Sequence, residues 1–354
     1  MRLEKVKHLL KEKGLDAFLI SSQSNVFYLT GFRSSHAYVV ITAQSHHLLT
    51  DARYYERAKA QLSDWDVRLI EQSAVRYIKN FLKELDAKKV GYEKDKVSCE
   101  FQRMLRTRGV RWVGFSGLLK DMRLIKSQEE IDIMREGVKR SDAIYRRLLE
   151  FIKPGMREMD VRAFIVQEIF REGASGESFP AIVASGEGSS VPHWETSQKQ
   201  IEVGKNLLID MGLVWKGYCT DFTRTIFIGR ADEEFKRVYQ TVKDAYLFAL
   251  DKVKVGNTLG EVDRAARKHI EKKGFKGLFI HSTGHGIGID IHEYPRVYYK
   301  GKDSKRVIEE GMVFTVEPGI YIPGKFGVRL ENIVVVERGS GSPLSEVSLD
   351  LIEL

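Results

Sequence analysis

Between about residues 127 and 337 the chain presents one pattern twice, and this duplication restricts the fold more than any other feature. In the first copy a long amphipathic helix stops at Pro154-Gly155 and a second helix closes at Gly173. In the second copy a helix over about 232–253 leads to Gly256 and another closes at Gly274, so both glycine pairs are 18 residues apart. Each copy then supplies a β-hairpin. Gly204-Lys205-Asn206-Leu207-Leu208-Ile209-Asp210 aligns with Gly311-Met312-Val313-Phe314-Thr315-Val316-Glu317, six residues from glycine to carboxylate in both. A second carboxylate follows each, Asp221 after eleven residues and Glu331 after fourteen. Four matched features in the same order mark a structural duplication despite low identity between the copies.

The 354 residues are enough for two domains. We place the boundary at residues 122/123, with a smaller α/β N-terminal domain over 1–122 and the duplicated part over 123–354. In the first, 2–13 reads as an amphipathic helix and Asp16–Ser21 as a buried strand. Ala37–Thr42, His47–Thr50 and Val67–Ile70 read as further strands, and Arg53–Leu62, Val75–Leu85 and Ser98–Arg108 as helices. The boundary is marked by a capping box, Ser127-Gln128-Glu129-Glu130, which predicts a helix running to about Ile152.

Composition narrows the class. Apolar residues at 43%, charged residues at 30% and seven prolines exclude a disordered chain. The net charge of +8 is spread over segments such as Lys11-Glu12-Lys13 and 300–306, which mix signs or fall in loops. It reads as a solvated surface and not as a nucleic-acid groove. Neither an apolar signal core nor a run of 18 apolar residues occurs, so the expectation is a cytoplasmic protein with no membrane partner. Two cysteines, Cys99 and Cys219, suit a reducing compartment. Five Asn and ten Gln against 57 basic residues is a bias also found in heat-adapted proteins.

The chemistry lies in the matched carboxylates. Asp210 and Glu317 sit in apolar β-runs, where a charge costs several kcal/mol unless paired or metal-bound. A salt bridge would solve the problem for one acid, and Arg224 and Arg329 are available. Two arginines do not neutralise four carboxylates, whereas two divalent cations do. His285, in Gly284-His285-Gly286-Ile287-Gly288, is the natural nitrogen donor, because alternating glycines let backbones approach closely around it. An oxygen-rich shell with one nitrogen suits Mn²⁺ or Co²⁺ better than a structural Zn²⁺, although Zn²⁺ and Fe²⁺ also fit. Strand alternation from Asp221 puts Thr223 and Thr225, and also Cys219, on the same side if no bulge intervenes. Thr223 could then support a ligand, while Cys219 reads as a small buried residue.

These residues resemble the pita-bread metallopeptidases, the family of prolidase, aminopeptidase P, methionine aminopeptidase and the metal-free creatinase. Asp210, Asp221 in Asp221-Phe222-Thr223-Arg224-Thr225, His285, Glu317 in Glu317-Pro318-Gly319-Ile320-Tyr321 and Glu331 in Arg329-Leu330-Glu331-Asn332 are similar to its five metal ligands, in the family's order. The resemblance implies an α+β pita-bread catalytic domain with a pseudo-twofold duplication, preceded by a creatinase-like α/β domain. It further implies a dinuclear-metal hydrolase cleaving the Xaa-Pro bond of small peptides with proline in second position. Prolidase is favoured over aminopeptidase P, and a non-catalytic binding module is the remote alternative. His193, in Val191-Pro192-His193-Trp194, matches a histidine beside the scissile bond. His281 and His292 match two more at the substrate site, and Arg329 matches an arginine beside the last ligand. Arg296, in His292-Glu293-Tyr294-Pro295-Arg296, matches an arginine that faces a dipeptide carboxylate, although an ordinary loop arginine is an equal reading. In mechanism, Glu317 would shuttle the proton to the leaving proline nitrogen, with His292 or His193 donating to the oxyanion. Relatives are commonly homodimers, which makes His36 a candidate cross-subunit contact, with a surface loop histidine as the plainer reading.

Overall fold

The computed structural model describes residues 2–354, which divide into two units between Asp121 and Met122. In the first unit, short apolar runs alternate with amphipathic helices. The order is α1 (Arg2–Lys13), β1 (Ala17–Ile20), α2 (Gln23–Thr30), β2 (Ala37–Thr42), β3 (His46–Thr50), α3 (Ala52–Gln61), β4 (Asp66–Leu69), α4 (Ala74–Glu84), β5 (Lys89–Glu93), α5 (Cys99–Leu105) and β6 (Arg111–Phe115). The strands form one six-stranded mixed sheet in the order β4-β3-β2-β1-β5-β6. The helical period shows directly in α4, where Ile78, Phe81 and Leu82 turn one face onto Leu49 and Val90 of the sheet. Caps define the edges: Asp51 accepts from Arg53 N at the start of α3, and Ser98 accepts from Phe101 N at the start of α5. The last helix ends three residues before the predicted Arg108, because Arg106 leaves helical backbone (φ −55°, ψ 125°).

After α6 (Lys120–Leu124), the second unit begins with α7 (Gln128–Phe151), and the capping box forms as predicted, with Ser127 and Glu130 each accepting from the other's backbone N–H. There follow α8 (Glu158–Arg171), β7 (Ile182–Ser185), β8 (Lys205–Met211), β9 (Val214–Trp215), β10 (Tyr218–Cys219) and β11 (Phe222–Ile228). The second copy supplies α9 (Glu233–Lys252), α10 (Leu259–Lys272), β12 (Gly284–Gly286), β13 (Glu293–Val297), β14 (Val313–Val316), β15 (Gly319–Ile322), β16 (Phe326–Arg329), β17 (Asn332–Glu337) and β18 (Ser340–Pro343). The main sheets run β11-β8-β7 and β13-β12-β14-β17-β18, so the triplets β7/β8/β11 and β12/β14/β17 correspond. The four spaced glycines share one cause. Gly155, Gly173, Gly256 and Gly274 all have φ between 78° and 93°, the left-handed region that ends a helix cheaply only for glycine.

Each half has its own core. Leu148, Ile165, Leu207 and Ile226 belong to one, and Val242, Val262, Phe314 and Val334 to the other. No helix among the described residues is long and apolar enough to cross a membrane.

Candidate metal centre

The duplicated topology brings the ends of four strands together. Asp210 is the penultimate residue of β8, opposite Thr223 of β11 and Ile182 of β7. Asp221 immediately precedes β11, Glu317 immediately follows β14, and Glu331 immediately precedes β17. His285 is the middle residue of β12, and two carbonyls set how closely that strand can approach. A Cβ on Gly284 would collide with Thr315 O, and one on Gly286 with Tyr294 O. The alternating glycines are therefore what admit the imidazole.

Asp221, His285 and Glu331 each offer a ligand atom, all within 4.8 Å of one another. His285 Nε2 lies 3.4 Å from Asp221 Oδ2 and 3.6 Å from Glu317 Oε1. Its Nδ1 faces Gly286 O at 3.0 Å, so Nδ1 keeps a proton and Nε2 is the nitrogen turned to the acids, the one that loses its proton when the ring becomes neutral. Thr315 Oγ1 accepts from His285 N at 3.1 Å and donates to Glu317 Oε1 at 3.3 Å.

Of the two arginines available to neutralise these acids, one does so. Arg329 Nη2 donates to Asp210 Oδ2 at 2.6 Å. Arg224 is spent on oxygen atoms of neutral groups: Glu331 O at 2.6 Å, Thr223 O at 2.9 Å, Asn332 Oδ1 at 2.9 Å and the carbonyls of Val347 and Ser348. One cation against four carboxylates leaves the cluster strongly acidic. Burial pushes the Asp210 carboxyl up to about 6 against the pull of Arg329. Burial likewise takes Glu317 to about 7, with His285 opposing and Asp221 reinforcing. Glu331 is raised well above the usual range by burial and by Asp221 and Glu317. Burial alone would lower His285, but Asp221 and Glu317 outweigh it and lift the ring to about 9. Asp210 Oδ1, moreover, is buried with no hydrogen-bond partner among the described residues. An orphaned carboxylate oxygen in a cluster short of positive charge fits a bound divalent cation, and this donor set of oxygens with one nitrogen can hold it.

A cavity of about 590 Å³ opens onto the cluster, lined by Asp210, Asp221, His285, Glu317 and Glu331 together with His193, His281, His292, Arg296 and Arg329. The ten residues expected as metal ligands or at the substrate site thus line one cavity, whereas His36 does not. Phe179, Ile182, Pro192 and Ile291 supply apolar wall. The histidines differ in state. His281 Nδ1 faces Ser282 O and must donate, so Nε2 accepts from the Tyr321 hydroxyl at 2.8 Å. Tyr321 in turn accepts from Arg329 Nη1 at 2.9 Å. Burial, helped by Arg329, lowers His281 to about 3, so it stays neutral with both nitrogens engaged. His292 is exposed, its ring 4.3 Å from that of His285, and it is lowered by partial desolvation and by that ring. His193 is exposed and has no hydrogen-bond partner among the described residues. Arg296 is exposed, with its guanidinium over the Tyr298 ring at 4.5 Å.

The expected alternation holds from Asp221 onward. Thr223 Oγ1 donates to Glu331 Oε2 at 2.6 Å and Thr225 Oγ1 to Arg329 O at 3.0 Å. It does not extend back to Cys219, because the chain leaves β-structure at Thr220–Asp221 and Cys219 belongs to the separate β9–β10 hairpin. There Cys219 is a buried free thiol 3.5 Å from Ile289 O. His36 lies in the first unit, partly buried, 3.2 Å from Asp51 Oδ2. Thr315 and Tyr321 escaped the sequence reading. Thr315 had a signal, as the polar residue in an otherwise apolar strand two positions before Glu317. Tyr321 had none, since its role depends on a hairpin turning it back onto Arg329.

A carboxylate cluster with one imidazole, opening into a histidine-lined pocket at the seam of a duplicated α+β unit, defines a metal-dependent hydrolase. Residues 132–338 match metallopeptidase family M24, residues 2–125 match the creatinase/prolidase N-terminal domain, and the chain belongs to that metallopeptidase family. A metallopeptidase family implies divalent metal ions. The uncharacterized peptidase YqhT of Bacillus subtilis is 37% identical over the full length of both chains. Among solved structures, the Xaa-Pro dipeptidase from Bacillus anthracis superposes with a TM-score of 0.95 at 34% identity, covering 99% of each chain. The X-Pro aminopeptidase from Thermotoga maritima does so with a TM-score of 0.92 at 32% identity, covering all of both.

Proposed function

We propose that the protein is an Xaa-Pro metallopeptidase that hydrolyses Xaa-Pro dipeptides. The observation that carries this reading is that Arg296 lines the same cavity as the carboxylate cluster. A peptide whose scissile carbonyl meets the cluster thus has a cation for its terminal carboxylate. Asp210, Asp221, His285, Glu317 and Glu331 would hold two divalent cations per subunit, Mn²⁺ or Co²⁺ in first place. When bound, the cations supply Lewis acidity, activating water and polarising the carbonyl before proline.

The chain's own residues do the rest. Gly286 O holds a proton on His285 Nδ1, so Nε2 is the nitrogen that offers its lone pair once its own proton is displaced. Arg329 compensates Asp210 through one oxygen and leaves the other buried without a partner among the described residues. Glu317, held by Thr315, carries a proton to the departing proline nitrogen. His193 or His292 donates to the developing oxyanion. The bond is a special target because an Xaa-Pro nitrogen bears no hydrogen, which peptidases that need that donor cannot use. A homodimer is part of the proposal through the family likeness. A cytoplasmic setting suits Cys99 and Cys219, both free thiols.

The second reading is an aminopeptidase P acting on longer Xaa-Pro peptides, favoured by the likeness to the Thermotoga maritima enzyme. Hydrolysis of Ala-Pro and Ala-Pro-Ala with Mn²⁺ or Co²⁺ separates the two. The dipeptidase reading expects the higher kcat/KM for Ala-Pro, and preference for the longer peptide would overturn it.

A further inference from the structure

His193 depends on its loop for position, and the structure shows what fixes that loop. Glu158, the first residue of α8, is fully buried, and no lysine or arginine pairs with it among the described residues. Neutral donors surround its carboxylate. Oε1 accepts from Ser185 N at 2.7 Å. Oε2 accepts from Trp194 Nε1 at 2.9 Å, Ser197 N at 3.0 Å and Ser197 Oγ at 2.8 Å. A negative charge at a helix N-terminus is favoured by the helix dipole, and four donors replace the hydration it loses. The indole of Trp194 lies over Gly188, where even a Cβ would come within 2.9 Å of the ring. On the other side of His193, Pro192 O accepts from Arg329 Nη1 at 3.4 Å, and Thr196 ties the loop to β7 through Val183 N at 2.9 Å.

We propose that Glu158 is a positioning residue for the hydrolytic reaction: through Trp194 and Ser197 it clamps the 191–197 loop and thereby sets where His193 meets the peptide. This rests on the Xaa-Pro peptidase reading with His193 at the reacting bond. Glu158 is not among the residues lining the cavity or the carboxylate cluster, so its effect on turnover passes through the 191–197 loop that carries His193.

The test is a double-mutant cycle on the Mn²⁺-loaded enzyme with Ala-Pro. Glu158→Gln puts an amide N–H against donors, and Trp194→Phe keeps a ring over Gly188 while removing the indole N–H. Each is expected to lower kcat/KM by about tenfold or more, mainly in kcat, as a small misplacement can. In a His193→Ala background either change should have less than about a twofold effect, with metal content unaltered. A second readout needs no turnover. In ¹³C-histidine-labelled protein, Glu158→Gln and Trp194→Phe should shift or broaden the His193 signal and leave those of His281 and His285 in place. Equal losses in both backgrounds, an unmoved His193 signal, or loss of metal and cooperative unfolding in both variants would overturn the proposal. An inactive wild type whose His193 signal still responds would count against the peptidase reading alone.

Discussion

Thr223 of the first half donates its hydroxyl proton to Glu331 Oε2 of the second, 2.6 Å away, and accepts from Arg329 Nε at 3.2 Å. One uncharged side chain thus orients a candidate ligand across the seam between the halves. Thr223→Val keeps the shape and removes both bonds. Loss of such an outer partner typically costs 10- to 100-fold in metal affinity. We expect a fall of about that size in Mn²⁺ or Co²⁺ titrations, with the circular dichroism spectrum unchanged.

Asp221→Ala should abolish both stoichiometric metal binding and turnover, because it removes one of the three mutually adjacent donors in the cluster. Metal analysis after dialysis, together with an Ala-Pro assay, checks it. Full metal content with activity intact would contradict the ligand assignment.

Among the described residues Arg329 is the sole guanidinium paired with a carboxylate of the cluster, and it also supports Tyr321. Arg329→Met should destabilise the metal-free protein by about 3–5 kcal/mol, the usual result of leaving a buried charge unpaired. Urea unfolding with and without metal measures it. The loss should shrink with metal bound, since the cation takes over the compensation of Asp210.

Cation binding should release protons. Below about pH 7 Glu317 is largely protonated, Asp210 follows below about 6, and His285 holds its proton up to about 9. A cation must displace those protons, so affinity rises with pH through this range and falls on acidification. Calorimetric titration at pH 7 in two buffers of different ionisation heat gives the proton count, and uptake in place of release would contradict the account.

Gly284→Ala drives a methyl into the Thr315 carbonyl. Overpacking against backbone costs about 1–3 kcal/mol, and here it also pushes His285 away from the acids. A lowered Tm accompanied by weakened metal binding is expected, and a lowered Tm with metal affinity intact would separate packing from ligand placement.

The sequence carried the residues with strong local chemistry. Acids in apolar strands, glycines flanking a histidine and a capping box each announce a physical conflict or its solution within a few residues. Relationships between distant segments were not legible. Arg224 and Arg329 looked equivalent as partners for Asp210, and only the folded chain shows one reaching the acid and the other spent on carbonyls. Cys219 looked in phase with Asp221 until the chain left β-structure at Thr220. Nothing local marked Glu158, because its donors lie up to 39 residues away.

The seam between the halves divides the cluster unequally. Asp210 and Asp221 come from one copy and Glu317 and Glu331 from the other, at corresponding strand ends. His285 breaks the correspondence. Ile182 lies opposite Asp210 and Thr283 O accepts from Glu317 N, so two residues further along His285 is matched by Ala184. Neither copy alone holds more than two of the four acids, so the cluster exists only where the copies meet. The copies are not equivalent there, since one side presents an imidazole where the other has a methyl.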